Sequence, residues 1–247
     1  MLNQRGGRIS QIWDDKSGDK ELFHLLELNL RWMMTEVIHS VNNSLGSIQY
    51  AVYDLQNSGS QEEALEVVDR TVNQIAGALR GTFDLLNPLL DPGGFLPLKG
   101  LCEKVYQLIE RRVRSQGIGF SIEIPELPQV ERRSVLPVSQ FLFTFLWLRL
   151  EGIEKPGWIR LCSKTSDATQ SLLCITDSCS AKFEPMLLPK DAEPVVRHPW
   201  ALDRKGFARY CLAAMARYFP ESAKPHYDKQ GAFCFGAQLL QEEEIKP

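Results

Sequence analysis

Apolar residues recur along the first part of the chain with the spacing of a helix face. Over residues 19–58 they fall at Leu26, Leu30, Met33, Val37, Val41, Leu45, Ile48, Val52 and Leu55, three or four apart each time, which keeps one stripe on one side of an α-helix. Asn57-Ser58-Gly59-Ser60 breaks the run. Ser60, with Glu63 three residues on, has the form of a capping box that opens a second helix. Its apolar positions, Leu65, Val68, Val72, Ile75, Leu79, Phe83 and Leu86, approach a heptad seam. Asn87-Pro88 and Asp91-Pro92-Gly93-Gly94 end it. Two amphipathic helices joined by a short loop predict an antiparallel hairpin. Such a hairpin buries little alone, so a second copy is expected to complete a four-helix bundle, making the protein a homodimer.

From Leu96 onward the pattern changes. Residues 98–115 predict a helix with a basic end (Arg111, Arg112, Arg114), 120–124 an alternating strand and 138–150 a strongly apolar helix. Strands are predicted at 158–164 and 171–177, a helix at 206–219 and a last strand at 231–240, with the proline-rich stretch 186–200 as loop. Helices interleaved with about four strands predict a two-layer α/β sandwich. The Pro/Gly stretch at 88–97 separates the two parts: an extension at 1–18, a hairpin domain at 19–90 and an α/β domain at 95–242.

Composition narrows the classes. The 247 residues, 44% hydrophobic and 24% charged, fit one large or two small globular domains. Lys+Arg 28 against Asp+Glu 31 leaves a net charge of -3, so nucleic acid is not an expected partner. No apolar run reaches the ~18 residues of a membrane span, and the polar start of the chain is unlike a signal peptide. A cytoplasmic location is therefore expected. The six cysteines, at 102, 162, 174, 179, 211 and 234, form no C-x-x-C, and the four histidines lie at no zinc-like spacing from them. The expectation is ordinary reduced thiols and no metal site.

Candidate chemistry lies on the first helix. His39 falls off the apolar stripe, and Asn43 and Gly46, four and seven residues on, share its face. An exposed imidazole is largely neutral at pH 7 and hence nucleophilic. A lone helical histidine is more often a solvated surface residue, so the rest of the chain decides.

The segment His39-Ser40-Val41-Asn42-Asn43-Ser44-Leu45 resembles the H-box of the two-component sensor histidine kinases, H-E-[L/F]-[R/N]-[T/N]-P-L. Residues 95–105 (FLPLKGLCEKV) resemble the segment that opens the family's ATP-binding domain, and residues 114–125 (RSQGIGFSIEIP) its next helix-to-strand turn. The resemblance covers roughly residues 22–240. It implies a dimerising helical hairpin with a phospho-accepting histidine, His39, followed by an α/β domain of the ATP-binding type.

Departures from the family carry as much information. Leu148 stands where the family's N-box places a magnesium-holding asparagine, and leucine offers no oxygen to magnesium. The D-x-G-x-G box reads Asp177-Ser178-Cys179-Ser180-Ala181, so its aspartate is kept and both glycines are lost. An aspartate at a strand end is more often an ordinary turn carboxylate. The last glycine-rich box reads Lys205-Gly206-Phe207-Ala208-Arg209, with one glycine left. Ser40 replaces the acidic residue after the histidine, and Ser44 replaces the proline, which leaves the helix less bent.

The resemblance therefore implies a histidine phosphotransferase of the ChpT-like, kinase-derived kind. It would relay a phosphoryl group between response-regulator receiver domains through His39 and use no ATP. Asn43 and Ser40 would orient the ring or the phosphoryl oxygens, and Gly46 and Ser47 would face the receiver. Magnesium would come with the phosphorylated receiver, and no cofactor would belong to the chain itself. The alternative is a catalytically inactive pseudokinase that binds a partner, with Trp158 and Trp200 as aromatic docking candidates. A third reading is an ATP-dependent kinase with a divergent pocket. The basic helix end at Arg111, Arg112 and Arg114 either docks an acidic receiver face or is simply solvated.

Overall fold

The structure is a computed structural model. It describes residues 17–57, 60–86, 94–126, 128–167, 170–179 and 203–237. The expected extension at 1–18 falls almost wholly outside these residues, as do the loop at 186–200, Trp200, Ala181 and the end of the last predicted strand.

Two helices open the fold: α1, Ser17–Gln56, and α2, Gln61–Leu86. Forty residues make α1 about 60 Å long. The cap of α2 is the predicted one, with the Glu63 N–H donating to the Ser60 hydroxyl at 3.4 Å. Glu62 and Glu63 in its first turn also suit the positive end of the helix dipole. The two helices meet over small residues: Ser44, Ala51, Ala64, Thr71 and Ala78 are buried, with Gly81 and Thr82 beyond them. The large apolar residues of the α2 stripe do not fill the hairpin interior. Exposure runs from 45% at Leu79 through 49% at Val72 and 55% at Leu65 to 71% at Phe83.

A short strand β1, Phe95–Pro97, pairs antiparallel with β3, Gln129–Glu131, and clips the start of α3, Leu98–Ser115, to the chain ahead of α4, Arg132–Gly152. Gly117 turns the chain from α3 into β2, Ile118–Glu123, at φ +65, a conformation that favours glycine. The main sheet adds β4, Gly157–Asp167, β5, Gln170–Asp177, β6, His226–Tyr227, and β7, Phe233–Gly236, in the order β2-β4-β5-β7-β6. Only the β2–β4 pair is parallel. A last helix, α5, Arg204–Met215, lies with α3 and α4 on one face of the sheet. The described strands number seven rather than about four, because β1, β3 and β6 are too short to show a period of two. The apolar helix is also longer than predicted, starting at Arg132 rather than 138.

α4 is hydrophobic all round, and its position explains why. Phe141, Phe143, Phe145, Leu146 and Trp147 are all buried between the sheet and α1. Phe145 stacks on Phe233 of β7, with ring centroids 4.1 Å apart. On the other side, Trp32 of α1 packs edge-on against Phe143 and Trp147. Asn29 of α1, fully buried, donates to the Thr144 hydroxyl at 3.2 Å and faces the Met215 sulfur. Leu25, Leu26, Leu28, Met33 and Val37 belong to the same core as the α/β residues, so one interior runs from the hairpin into the sandwich.

The cysteine expectation needs a correction. Cys174 and Cys234 are joined by a disulfide. They lie directly opposite each other on β5 and β7, and Cys162 lies opposite Cys174 on β4. Alternation along the strands places all three on the face away from α4. The remaining buried thiols, Cys102 and Cys211, behave as apolar fillers, and burial pushes both pKa values up. Among the described residues no helix is long and apolar enough to cross a membrane, and no His/Cys/Asp/Glu cluster could hold a metal ion.

Candidate functional site

His39 sits on α1 where the α/β domain ends and the free part of the hairpin begins. Its side chain is exposed, and it borders a cleft of about 300 Å³ between α1, α3, α4 and the start of α5. Ser40 and Asn43 line this cleft with it, so the sequence-based grouping of these three holds in space. Gly46 is exposed, with open space where a Cβ would stand. Ser47 is half-buried and donates its hydroxyl to the Asn43 carbonyl at 3.2 Å, which ties it to its own helix.

Sequence reasoning missed the strongest contact of the imidazole. Arg204, the first residue of α5, places Nη2 3.4 Å from His39 Nε2. A guanidinium only donates, so this contact suits the tautomer whose proton sits on Nδ1 and whose Nε2 accepts. Nη1 of the same arginine pairs with Glu36 at 3.3 Å, and the other Glu36 oxygen accepts from the Trp147 indole at 3.2 Å. Glu36 is thus the post that sets Arg204 beside the imidazole. Asp203 caps α5 by accepting from the Gly206 N–H at 2.6 Å, which fixes the direction in which Arg204 leaves the helix. The sequence separation of 165 between His39 and Arg204 puts this pair beyond any local pattern.

The basic end of α3 divides its work. Arg114 pairs with Glu110 one turn back, as solvated helix arginines do. Arg111 and Arg112 both line the cleft. Arg112 pairs with Glu151 and lies over the Trp147 ring, 4.7 Å from its centroid. Burial holds the pKa of Arg112 below its ordinary value; Glu36 opposes this, and the like charge of Arg204 adds to it.

A second cluster lies at the end of the sheet. Leu148 is buried in the common core. Its neighbour Arg149 grips Asp177 with two parallel bonds, Nε to Oδ2 at 2.7 Å and Nη2 to Oδ1 at 2.5 Å. The Cys179 N–H adds a bond to Oδ1 at 2.9 Å. Both side chains of the pair are nearly sealed, at 8% and 7% exposed. Burial pulls the pKa of Arg149 down, but its bonds to and the charge of Asp177 outweigh this and hold it above the ordinary value. Cys179 turns its sulfur to the Gly152 carbonyl at 3.3 Å. Gly206 lies in the first turn of α5, where it serves the Asp203 cap.

No family model matches the chain, and no curated protein matches it. Solved structures do. A bacterial phosphotransferase aligns over 85% of this chain and 95% of its own at 13% identity, with a TM-score of 0.50. The Acinetobacter baumannii histidine kinase AdeS aligns over 81% and 98% at 13% identity, with a TM-score of 0.39. The histidine kinase ThkA in its complex with the response regulator TrrA aligns over 87% of this chain and 62% of that one at 16% identity, with a TM-score of 0.42. The likeness is one of fold. Two long helices in a hairpin, followed by a mixed sheet backed by helices on one face, form the architecture this chain shares with that phosphotransferase.

Proposed function

We propose that this chain is a histidine phosphotransferase of two-component signalling, passing a phosphoryl group between receiver domains through His39 without using ATP. The observation that carries this reading is a contrast between two sites. The imidazole at the head of the cationic cleft is open, with its Nε2 lone pair turned outward to Arg204. The carboxylate that a nucleotide would need is locked to Arg149. The residues at that place do not fit a magnesium-bound nucleotide: Leu148 has no oxygen to offer the metal, and a guanidinium and a backbone N–H already engage both Asp177 oxygens, which an adenine amino group would need.

The acyl phosphate of a receiver needs no further activation by this chain, because the receiver brings its own aspartyl phosphate and magnesium. What the relay protein must supply is a neutral imidazole in the right tautomer and a surface for docking. Asn43 lies one turn from His39 on the same face and lines the same cleft, within reach of the ring or the incoming phosphoryl oxygens. The uncovered seam of the hairpin, Leu65, Val72, Leu79 and Phe83 together with Leu45 and Val52, suits a second copy that closes a four-helix bundle.

The test is direct. Receiver domains are charged with a radiolabelled small phosphodonor and mixed with this protein. Acid-labile label is expected on it, and His39→Gln is expected to abolish that label. Label appearing from Mg-ATP alone would overturn the ATP-independent part. Absence of label from every charged receiver would favour the second reading, a binding module without chemistry. The observation behind that alternative is Trp158, which is exposed on the sheet with Arg160 over its ring at 5.9 Å.

A further inference from the structure

We infer that Arg204, reaching across from the α/β domain, is a phosphoryl-binding residue that works with Arg112 and Arg111 as an oxyanion cradle for the group carried on His39. The inference rests on the phosphotransfer reading above and assigns part of that site to the domain whose own nucleotide cluster is closed.

Placement is the first argument. Arg204 is the one cation in contact with the Nε2 atom among the described residues, and more than half of its side chain is exposed, so it can follow a group attached there. Charge is the second. The cleft is lined by three guanidiniums, Arg111, Arg112 and Arg204, against a single carboxylate, Glu36. One oxygen of that carboxylate accepts from the Trp147 indole, and the other makes an ion-pair contact with Arg204 at 3.3 Å. Arg112, paired with Glu151 and lying over the Trp147 ring, holds its guanidinium at the cleft wall, where an incoming dianion would meet a second fixed cation. The planar fork of arginine also matches phosphoryl oxygens better than a point charge does.

The same bond gives Arg204 two successive tasks. Before transfer it donates to Nε2, which favours the ring proton on Nδ1, and this bond opens as the phosphoryl group arrives, freeing the lone pair for attack. During transfer that lone pair forms the N–P bond. The O–P bond of the receiver's aspartyl phosphate breaks, and the carboxylate leaves with its electron pair. The Nδ1 proton, now on an imidazolium, is released to water. As Nε2 gives up its lone pair to phosphorus, Arg204 exchanges an imidazole acceptor for a phosphoryl oxygen a bond further out. The reverse sequence delivers the group to the next receiver.

Arg204→Ala and Arg204→Lys in the full chain test this, with transfer from a charged receiver followed at increasing receiver concentration. The alanine variant is expected to lower the rate at saturating receiver by about 100-fold, the usual loss for one donor to a transferring oxyanion. Half-saturation should change by less than about twofold, because a phosphoryl cradle acts on the transition state rather than on docking. Lysine should recover only part of the rate. Ring nitrogen NMR gives a readout without turnover: the wild-type His39 shows the Nδ1–H form, and Arg204→Ala loses that preference. An unchanged saturated rate, a loss confined to half-saturation, or an unaltered tautomer would overturn the cradle. Direct labelling by phosphoramidate separates the two levels. If wild-type His39 takes no label even from that donor, the relay reading falls and the cradle with it. If it labels normally and Arg204→Ala behaves as wild type, only the cradle falls.

Discussion

The first helix carries one apolar stripe and meets two different fates along it. From Leu25 to Val37 the stripe sinks into the α/β domain, against Phe143, Trp147 and Phe207. From Leu45 to Val52 the same stripe stands uncovered, as does the seam of α2 beside it. Periodicity reads the same over both halves, because it reports which residues share a face and not what covers that face. His39 lies at the changeover, where the backbone is anchored from one side and the side chain is free on the other.

That comparison can be broken from its covered half first. Trp32→Ala removes the ring that three aromatic partners pack against, and a loss of about 3–5 kcal/mol is expected in denaturant unfolding. Thr144→Val leaves the fully buried Asn29 without its hydroxyl partner and should cost about 1–3 kcal/mol in the same measurement. In the uncovered half, Leu65→Glu with Leu79→Glu should change the stability of the single chain by less than about 0.5 kcal/mol, since both side chains already face solvent. On the four-helix-bundle reading, sedimentation should nonetheless show the wild type as a dimer and the double variant as a monomer. Equal unfolding losses in the two halves would erase the distinction.

The smallest effect is expected far from both. The Lys164 ammonium, together with the backbone N–H groups of Ala232 and Gln230, holds the Asp228 carboxyl below its ordinary range against the opposing effect of burial. A depressed folded value means stability that is present above the ordinary carboxyl pKa of about 3.9 and lost as pH falls through the folded value. Asp228→Asn should flatten that acid limb, seen by comparing unfolding midpoints at neutral pH and near pH 3.

How much of this was legible from the residues depends on range. The hairpin and α3 repeat a period over many turns, and their bounds are close to those expected. His39, Ser40 and Asn43 lie within five residues of one another, so helix geometry alone groups them. Arg204 does not share that advantage: only the packing of α5 on α1 brings it to the imidazole. Leu148 in place of the family's asparagine, and the missing glycines, were visible as substitutions, but the lock on Asp177 was not. Asp177 pairs with Ile159 at the end of β5, and that register brings it to Arg149, 28 residues away. The Cys174–Cys234 bond likewise depends on a β5–β7 register that spans 60 residues.

The shared interior of hairpin and sandwich has a consequence for signalling. With Asn29 bonded into α4 and Trp32 wedged among its rings, the base of α1 is tied to the sandwich. On the relay reading, such a molecule behaves as a fixed conductor. The traffic through it, and its direction, would follow the relative loading of the partners at either end and not any posture of its own.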